Sequence, residues 1–529
     1  MLGGWRERAG VAALLAVLAA QLAHGLRADG LTNDEVLYIA AGWRHLTLRD
    51  HSLNPTHPPL ASEVAALGLL PLAPRTPAWS DGDDPLSYSY RFVHVENDAS
   101  AVIPRARAPV ALMTLALALL CWAWAREAGG PAAGLAALAL FCFHPSLLAH
   151  GHLATTDLPA AFWMLVASWL FWRWCRRPSA LGAAGIALAL GAGAATRLSA
   201  WVLAPCLAVL ALARIVKAPA GERRRRAAET GVLLAAALIA VPLVVWAAYG
   251  FRAPVAHLMP APYLEGLKFQ VRHNRAGHLA YLLGERSRSG WPYYFLVALL
   301  VKSTPGFLLG LVAAVVALRG RDGARKVAPH WLLPALGTFA AVSAGHIQIG
   351  ERYLLPFHAY LVPLIGCVLA AWMRDGRRWG AAAVTAALAL HVVPAAAANR
   401  QGHLAYFNLL AGGTPGGHRV LLDSNLDWGQ DLPRLADWMR RHGVASVQLA
   451  YMGADDPARF GIAHEDLPGR RLHPERRARA IFDGTVVVSP NLVFGLVPAL
   501  AGTYAPLRER PPDDRAGVFF VYRMGGGPS

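Results

Sequence analysis

Long apolar runs alternate with short polar connectors over the first 400 residues of the chain. Most of the runs approach the ~20 residues that an α-helix needs to cross a bilayer. The pair 181–196 and 199–214 is short, with Arg197 between its members, so it forms either two spans or one re-entrant element. In all we predict eleven membrane-spanning helices, at roughly 9–27, 105–125, 131–149, 157–174, 181–196, 199–214, 229–250, 291–318, 329–346, 353–373 and 379–397.

The basic residues of the connectors predict how these spans are oriented. If the N-terminus lies inside, the strongly basic connectors near 126, 173–177, 214–226, 319–326 and 374–378 all lie inside with it. Such a distribution is the pattern of the positive-inside rule. The outer side then receives the loop 28–104, the corner 150–152, the segment 251–290, the corner 347–352 and the tail from 398.

Composition agrees with a membrane protein. The mean hydropathy is +0.35, and only 16% of the residues are charged, against about 25% in soluble proteins. The net charge of +17 would suggest a nucleic-acid partner in a soluble protein. Here the positive charge lies in the connectors, so we predict a multi-pass membrane protein with no nucleic-acid partner.

Two outer segments have a different character. The first outer loop contains six prolines between residues 55 and 77 and a short apolar piece, Leu60 to Leu72, which predicts interfacial helices lying on the bilayer. From about residue 400 the pattern predicts strands at 420–423, 447–451, 485–489 and 518–522, and a helix at 431–442. We therefore predict an all-α transmembrane domain, 1–400, with its first outer loop at 28–104, and a small α/β soluble domain, 401–529.

Two adjacent carboxylates, Asp34 and Glu35, follow the first apolar run, where the chain should leave the bilayer. Partial burial and a like-charged neighbour raise the pKa of one member of such a pair, which suits a general base. A solvated loop explains the same residues equally well. In the same loop, Pro58 and Pro59 fix the backbone after His57 and aim its imidazole.

Other ionisable residues lie at the outer ends of apolar runs. Burying such residues costs free energy, and they are usually functional. His152 and Asp157 fall at one corner between helices, and with Asp34 they are candidate ligands of a divalent cation such as Mg, Mn, Ca or Zn. Helix capping is the alternative for this corner. Cations on the same face suit phosphate oxygens, and the candidates for substrate or phosphate binding, with His57, are Arg197, Arg272, Lys302, Arg352 and Tyr353.

The tail has one polar crossover between a predicted strand and a predicted helix. Such a crossover at the carboxyl end of a strand is a common ligand site, and an Asx-turn with a helix cap explains it equally well. The candidate ligand residues of the tail are Asp423, Asn425, Asp427, Trp428 and Gln430.

Four motifs, in this order and placement, resemble those of bacterial polyprenyl-phosphate-sugar-dependent glycosyltransferases. These belong to the GT-C superfamily, in the family 39 group related to protein O-mannosyltransferases and to the lipid A aminoarabinose transferases. The resemblance covers about 1–400. Its motifs are Asp34-Glu35, His57-Pro58-Pro59-Leu60, Gly151 to Asp157, and Arg352-Tyr353-Leu354-Leu355-Pro356.

The resemblance implies a lipid-linked sugar donor, an active site at the periplasmic or extracellular face, and Asp34 as the catalytic base. Glu35 would support Asp34 or hold a cation. Related proteins often have Lys near the position of Arg197, so the phosphate geometry differs here. The acceptor is a protein, lipid or glycan hydroxyl, and no nucleotide cofactor is expected. The alternatives are a transporter or flippase of a sugar-lipid, and a non-catalytic envelope scaffold.

Overall fold

The computed structural model describes residues 4–80, 82–319, 324–374, 378–469 and 481–525. Parts of two connectors that we predicted to lie inside, 320–323 and 375–377, fall outside the described residues.

Helices make up the first 400 residues, in agreement with the predicted all-α architecture. Their bounds are α1 (Gly4–Ala28), α2 (Glu35–Leu48), α3 (Leu60–Leu67), α4 (Pro85–Tyr90), α5 (Ala99–Gly129), α6 (Pro131–Cys142), α7 (Pro145–His150), α8 (Asp157–Arg176), α9 (Ala180–Thr196), α10 (Leu203–Val216), α11 (Ala220–Ala248), α12 (Ala261–Ala276), α13 (Tyr294–Lys302), α14 (Pro305–Arg319), α15 (Ala324–Ser343), α16 (Leu355–Arg374) and α17 (Arg378–Ala398). Two hairpins, β1 (Val255–Ala256) with β2 (Met259–Pro260) and β3 (Ala280–Leu282) with β4 (Glu285–Ser287), flank α12.

Fewer helices than predicted meet the length and hydropathy of a membrane span. In the described part of the chain six do so, and a bent pair makes a possible seventh. Three further apolar helices are shorter, at Pro131–Cys142, Ala180–Thr196 and Val327–Ser343. The chain is a multi-pass membrane protein, but the predicted count of eleven spans is not confirmed.

The predicted span 291–318 is not one continuous helix. It is broken into α13 and α14, which are bent by 120° relative to each other. The break follows Lys302, where Pro305 supplies no backbone N–H and disfavours helical geometry in the residue before it. The bend turns the end of α13, with Lys302, toward the tail.

Helix α16 forms the centre of the membrane part. It packs against α5, α6, α8, α14 and α15, and nearly all of its first sixteen residues are buried. A 3-10 turn, Glu351–Leu354, leads into it. Arg352 therefore enters the interior on the most enclosed helix of the bundle.

The tail contains a five-stranded mixed sheet. Its strands are β5 (Val447–Ala450), β6 (His464–Asp466), β7 (Gly484–Val488), β8 (Asp514–Ala516) and β9 (Phe519–Met524), in the order β6-β5-β7-β9-β8. β5 pairs parallel with β6 and β7, and β9 pairs antiparallel with β7 and β8. The tail helices are α18 (Gly413–Gly416), α19 (Leu432–His442), α20 (Pro490–Val493) and α21 (Ala505–Arg508).

Three of the four predicted tail strands are present, as is the predicted helix. The strand predicted at 420–423 is wrong, because 3-10 turns at Gly417–Arg419 and Asp423–Asn425 enclose it. Leu421 makes only an isolated bridge with Leu282, and Leu283 donates its N–H to the Val420 carbonyl over 2.9 Å. The backbone of this segment is thus bonded to the membrane part instead of to the tail sheet.

Candidate active site

A cavity of about 290 Å³ lies between the membrane helices near their outer ends. Its polar wall includes His57, Asp157, Arg197 and Arg352. Each of these residues lies where a helix begins or ends: before α3, at the start of α8, after α9 and before α16. Backbone breaks in the apolar bundle therefore bring the charged groups together. The rest of the wall is largely apolar, with Met164, Leu198, Val202, Val342, Ile347 and Pro356.

Arg352 joins two carboxylates from distant parts of the chain. Its Nη1 lies 3.3 Å from an Asp34 carboxylate oxygen and 3.4 Å from an Asp157 carboxylate oxygen. The Asp34 side chain is 33% exposed, whereas that of Asp157 is 2% exposed. Asp34 thus remains accessible beside the cavity, while Asp157 is held in its wall.

Arg197 reinforces Asp157. Its Nη1 donates to the Asp157 carboxylate and, over 3.1 Å, to the Thr156 hydroxyl. The ring of Tyr353 lies beneath both guanidinium groups, 5.0 Å from Arg197 and 5.2 Å from Arg352. Two cations are therefore held side by side over one aromatic face, balanced by Asp34 and Asp157.

His57 adds a neutral imidazole to this wall. Burial, with the nearby Arg197 charge, lowers its pKa to about 4. Its Nδ1 lies 3.0 Å from the Thr56 hydroxyl and 3.2 Å from the Asn54 amide oxygen, and the tautomer that donates to Asn54 has its proton on Nδ1. Nε2 is then an acceptor, so His57 can receive a hydrogen bond from a substrate hydroxyl.

Glu35 lies apart from the cavity, although it follows Asp34 in the chain. Its carboxylate is fully buried and accepts from Arg107 over 2.7 and 2.8 Å, from Thr32, and from the Ala154 N–H. Burial by itself raises the pKa of Glu35, but the Arg107 charge and these hydrogen bonds bring it below its usual value. Both oxygens are occupied, so Glu35 anchors the loop to α5 and the 150–157 corner.

The predicted cation ligands do not form one set. His152 Nε2 lies 3.0 Å from an Asp29 carboxylate oxygen, while Asp157 is paired with two arginines. The Arg352 guanidinium lies between Asp34 and Asp157, where it repels a metal ion. This corner therefore does not fit a divalent cation in the arrangement observed.

Two predicted phosphate ligands are also outside the cavity wall. Lys302 is buried beneath the tail and donates to the carbonyls of Leu404 over 2.7 Å and Asn425 over 2.6 Å. Arg272 is exposed on α12, and two other residues of that helix, Gln270 and Asn274, line the cavity. Neither Lys302 nor Arg272 lines the cavity that contains Arg197 and Arg352.

The polar tail crossover docks on the membrane part. Asn425 accepts the Glu351 N–H over 2.8 Å and donates to the Tyr294 hydroxyl over 2.9 Å. The Trp428 carbonyl accepts the Asn33 N–H over 2.8 Å. The Trp428 ring lies 4.2 Å from the Arg352 guanidinium. Trp428 therefore contacts both the residue before Asp34 and the central arginine.

The other residues of this crossover support its shape. Asp427 accepts hydrogen bonds from the Ser489 hydroxyl and from the Gly429 N–H. The side-chain amide oxygen of Gln430 accepts the Trp428 N–H over 2.8 Å. Asp423 accepts the N–H of Ser424 and has a left-handed backbone, φ 58°, which Asp tolerates. The crossover predicted as a ligand site is thus internally bonded and docked against the site.

A protein-family model matches part of the membrane region. Residues 17–257 match the family model described as dolichyl-phosphate-mannose-protein mannosyltransferase. This segment contains Asp34, His57, Asp157 and Arg197. No curated protein matches the chain.

Solved structures show the same fold over the whole chain. ArnT from Cupriavidus metallidurans bound to undecaprenyl phosphate is 14% identical, with a TM-score of 0.52 and complete coverage of both chains. Its apo state is 16% identical, with a TM-score of 0.50, covering 98% of this chain and 99% of the other. The chain therefore has the fold of ArnT, and its residues 17–257 resemble the mannosyltransferase family.

One buried residue beside the site was not predicted from the sequence, although a signal for it existed. Arg107 is fully buried in α5 and also donates to the carbonyls of Asp29 and Gly30 over 2.8 Å each. Burying an unpaired arginine in an apolar run costs free energy, so Arg107 could have been predicted to have a buried partner. Its partner, Glu35, could not be identified because 72 residues separate them.

Proposed function

We propose that this protein is a GT-C glycosyltransferase that transfers a sugar from a polyprenyl-phosphate donor to an acceptor hydroxyl, with Asp34 as the general base. The reaction takes place at the outer face of a bacterial inner membrane, where the tail also lies. The observation that carries the proposal is the accessible Asp34 carboxylate, 3.3 Å from an arginine that lines the cavity.

The base must reach the acceptor hydroxyl. A general base needs to be within about 3 Å of the proton-bearing oxygen, and the partial exposure of Asp34 leaves room for such an approach. As the acceptor oxygen attacks the anomeric carbon, Asp34 takes its proton. The bond from that carbon to the lipid phosphate oxygen breaks in the same displacement, with inversion at the carbon and an oxocarbenium-like transition state.

The leaving group is a polyprenyl phosphate, which gains negative charge as the bond breaks. Arg197 and Arg352 line the cavity together and are held in place by Tyr353. Preorganised cations stabilise charge that develops in the transition state. His57 Nε2 then accepts from a sugar hydroxyl, and no step depends on a metal ion in this corner.

The apolar part of the wall suits the lipid. Leu198 and Val202 lie in the 3-10 segment before α10, Val342 lies near the end of α15, and Ile347 lies just after that helix. A polyprenyl chain can lie against this surface with its phosphate at the arginines. The ArnT structure with undecaprenyl phosphate shows that a neighbour of this fold binds such a lipid.

The test is a transfer assay with purified protein and a panel of undecaprenyl-phosphate sugars, with product formation followed by mass spectrometry. Asp34→Asn should lower transfer at least about 100-fold, the size of effect expected when a general base is lost. Binding of undecaprenyl phosphate and the thermal unfolding temperature should stay close to wild type.

Glu96→Gln is the matched control, because Glu96 is an exposed carboxylate of the same outer loop. It should transfer sugar at the wild-type rate. Unchanged transfer by Asp34→Asn would refute the role of Asp34. Movement of a sugar-lipid across vesicles without any product would favour the transporter alternative instead.

A further inference from the structure

The first outer loop contains a second cluster of chemistry-bearing side chains that the transfer reaction does not use. His45, His51 and Glu63 each offer a ligand atom, and these three atoms lie within 4.8 Å of one another. It is the one group of three or more His, Cys, Asp or Glu side chains with this geometry in the described part of the chain.

Close packing of two helices creates the cluster. Gly42 of α2 lies directly against the Ser62 carbonyl of α3, where a side chain would collide. His45 is one helical turn after Gly42, and Glu63 follows Ser62. Their side chains are therefore brought to the same side of the helix pair. His51, from the turn between the helices, stacks on His45 with ring centroids 4.5 Å apart.

The ligand atoms lack other partners. Both nitrogens of His45, Nε2 of His51 and Oε1 of Glu63 are buried without a hydrogen bond. His45 is only 1% exposed. Buried polar atoms are normally hydrogen-bonded, and each exception calls for an explanation such as an ion. An unpartnered atom on each of three neighbouring side chains points to one shared ligand.

The surrounding charges permit a cation. The charge of Arg44 is neutralised by an ion pair with Asp50, and the side chain of Arg49 is exposed to solvent. The Tyr249 ring, which follows α11, lies 4.9 Å from His51 and closes one side of the cluster.

We infer that His45, His51 and Glu63 bind a divalent transition-metal ion, with zinc as the best fit. Two imidazoles and one carboxylate are a common zinc set, with a water molecule in the fourth position. The ion would link α2, α3 and the turn between them. His45 is eleven residues after Asp34, which along a helix is roughly 16 Å, so the ion serves structure and not sugar transfer.

The experiment uses full-length protein without a polyhistidine tag, stripped with a chelator and then dialysed against buffered Zn²⁺. Elemental analysis should find one tightly bound zinc per chain. His51→Ala and Glu63→Gln should each weaken zinc affinity at least tenfold, whereas the exposed controls His257→Ala and Glu265→Gln should not. X-ray absorption of the zinc-loaded protein should show two imidazole ligands.

A stability measurement guards against variants that simply misfold. Zinc should raise the unfolding temperature of wild-type protein and leave that of Glu63→Gln unchanged. Asp34→Asn should keep the zinc, which separates this site from the proposed transfer reaction. Absence of zinc from the loaded wild-type protein, or equal binding by wild type and Glu63→Gln, would overturn the inference.

Discussion

Two arginine–carboxylate clusters begin at neighbouring residues, Asp34 and Glu35, and they differ in how completely they are paired. Around Glu35, one arginine, two N–H groups and a hydroxyl fill both carboxylate oxygens, and no side chain is exposed. Around Asp34, one arginine is shared with Asp157, and a third of the side chain is exposed. A saturated cluster holds the fold, whereas an incompletely paired one has capacity left for a substrate.

Disruption of the saturated cluster should have the largest effect on stability. Glu35→Gln leaves the Arg107 charge buried without its counter-charge, which typically costs roughly 3–5 kcal/mol. Thermal unfolding in detergent should show this loss. Glu127→Gln is the control, because Glu127 pairs with Arg176 at the surface and should cost at most about 1 kcal/mol. Equal losses in both variants would remove the distinction between the two clusters.

The buried carboxyl group of Asp427, in the tail crossover, should make the stability of the fold depend on pH. Burial raises the pKa of Asp427 to about 6, partly offset by the Ser489 hydrogen bond, against 3.8 for an ordinary Asp. The folded protein therefore holds this proton more tightly than the unfolded chain. This proton adds roughly 3 kcal/mol to the free energy of unfolding. The contribution is fully present below about pH 4 and is lost as pH rises through 6.

Asp427→Asn keeps the neutral form at every pH, so it should remove this part of the pH dependence. Unfolding temperatures between pH 4 and pH 7.5, compared with those of wild type and of the exposed control Asp483→Asn, measure the difference. Parallel curves for wild type and Asp427→Asn would show that the Asp427 proton does not stabilise the tail.

The incompletely paired cluster should be sensitive in binding rather than in folding. Arg352→Lys keeps the charge but loses the planar fork, so the affinity for undecaprenyl phosphate should fall by about 10- to 100-fold. Native mass spectrometry or equilibrium binding gives the ratio. Arg272→Lys, on an exposed face of α12, should stay within about twofold, and a fall as large as that of Arg352→Lys would return Arg272 to the site.

The smallest effect should come from the contact between tail and site. Trp428→Leu removes the ring that lies 4.2 Å from the Arg352 guanidinium. A cation–π contact of this kind contributes about 1–2 kcal/mol, so kcat/KM should drop by roughly tenfold. The control is Trp379→Leu, since Trp379 is 84% exposed. Wild-type kcat/KM in Trp428→Leu would mean that the tail does not position Arg352.

The same comparison explains why the sequence did not distinguish cations that line the cavity from cations that are buried elsewhere. Arg197 and Lys302 interrupt apolar runs in the same way, and the cost of burying them predicts only that each has partners. Arg197 finds a carboxylate beside the cavity. Lys302 finds two carbonyls beneath the tail, because the 120° bend after α13 turns it there.

The sequence by itself determined the multi-pass membrane character, the acidic pair after the first span, the motifs of the GT-C resemblance and most of the tail strands. Hydrophobic period, proline placement and turn residues are local signals, so they can be read along the chain. Tertiary structure decided which side chains share a site: Arg352 between Asp34 and Asp157, Arg107 on Glu35, Trp428 on Arg352, and His45 with His51 and Glu63. These pairings depend on packing between segments that are mostly far apart in the chain, and no local pattern encodes them.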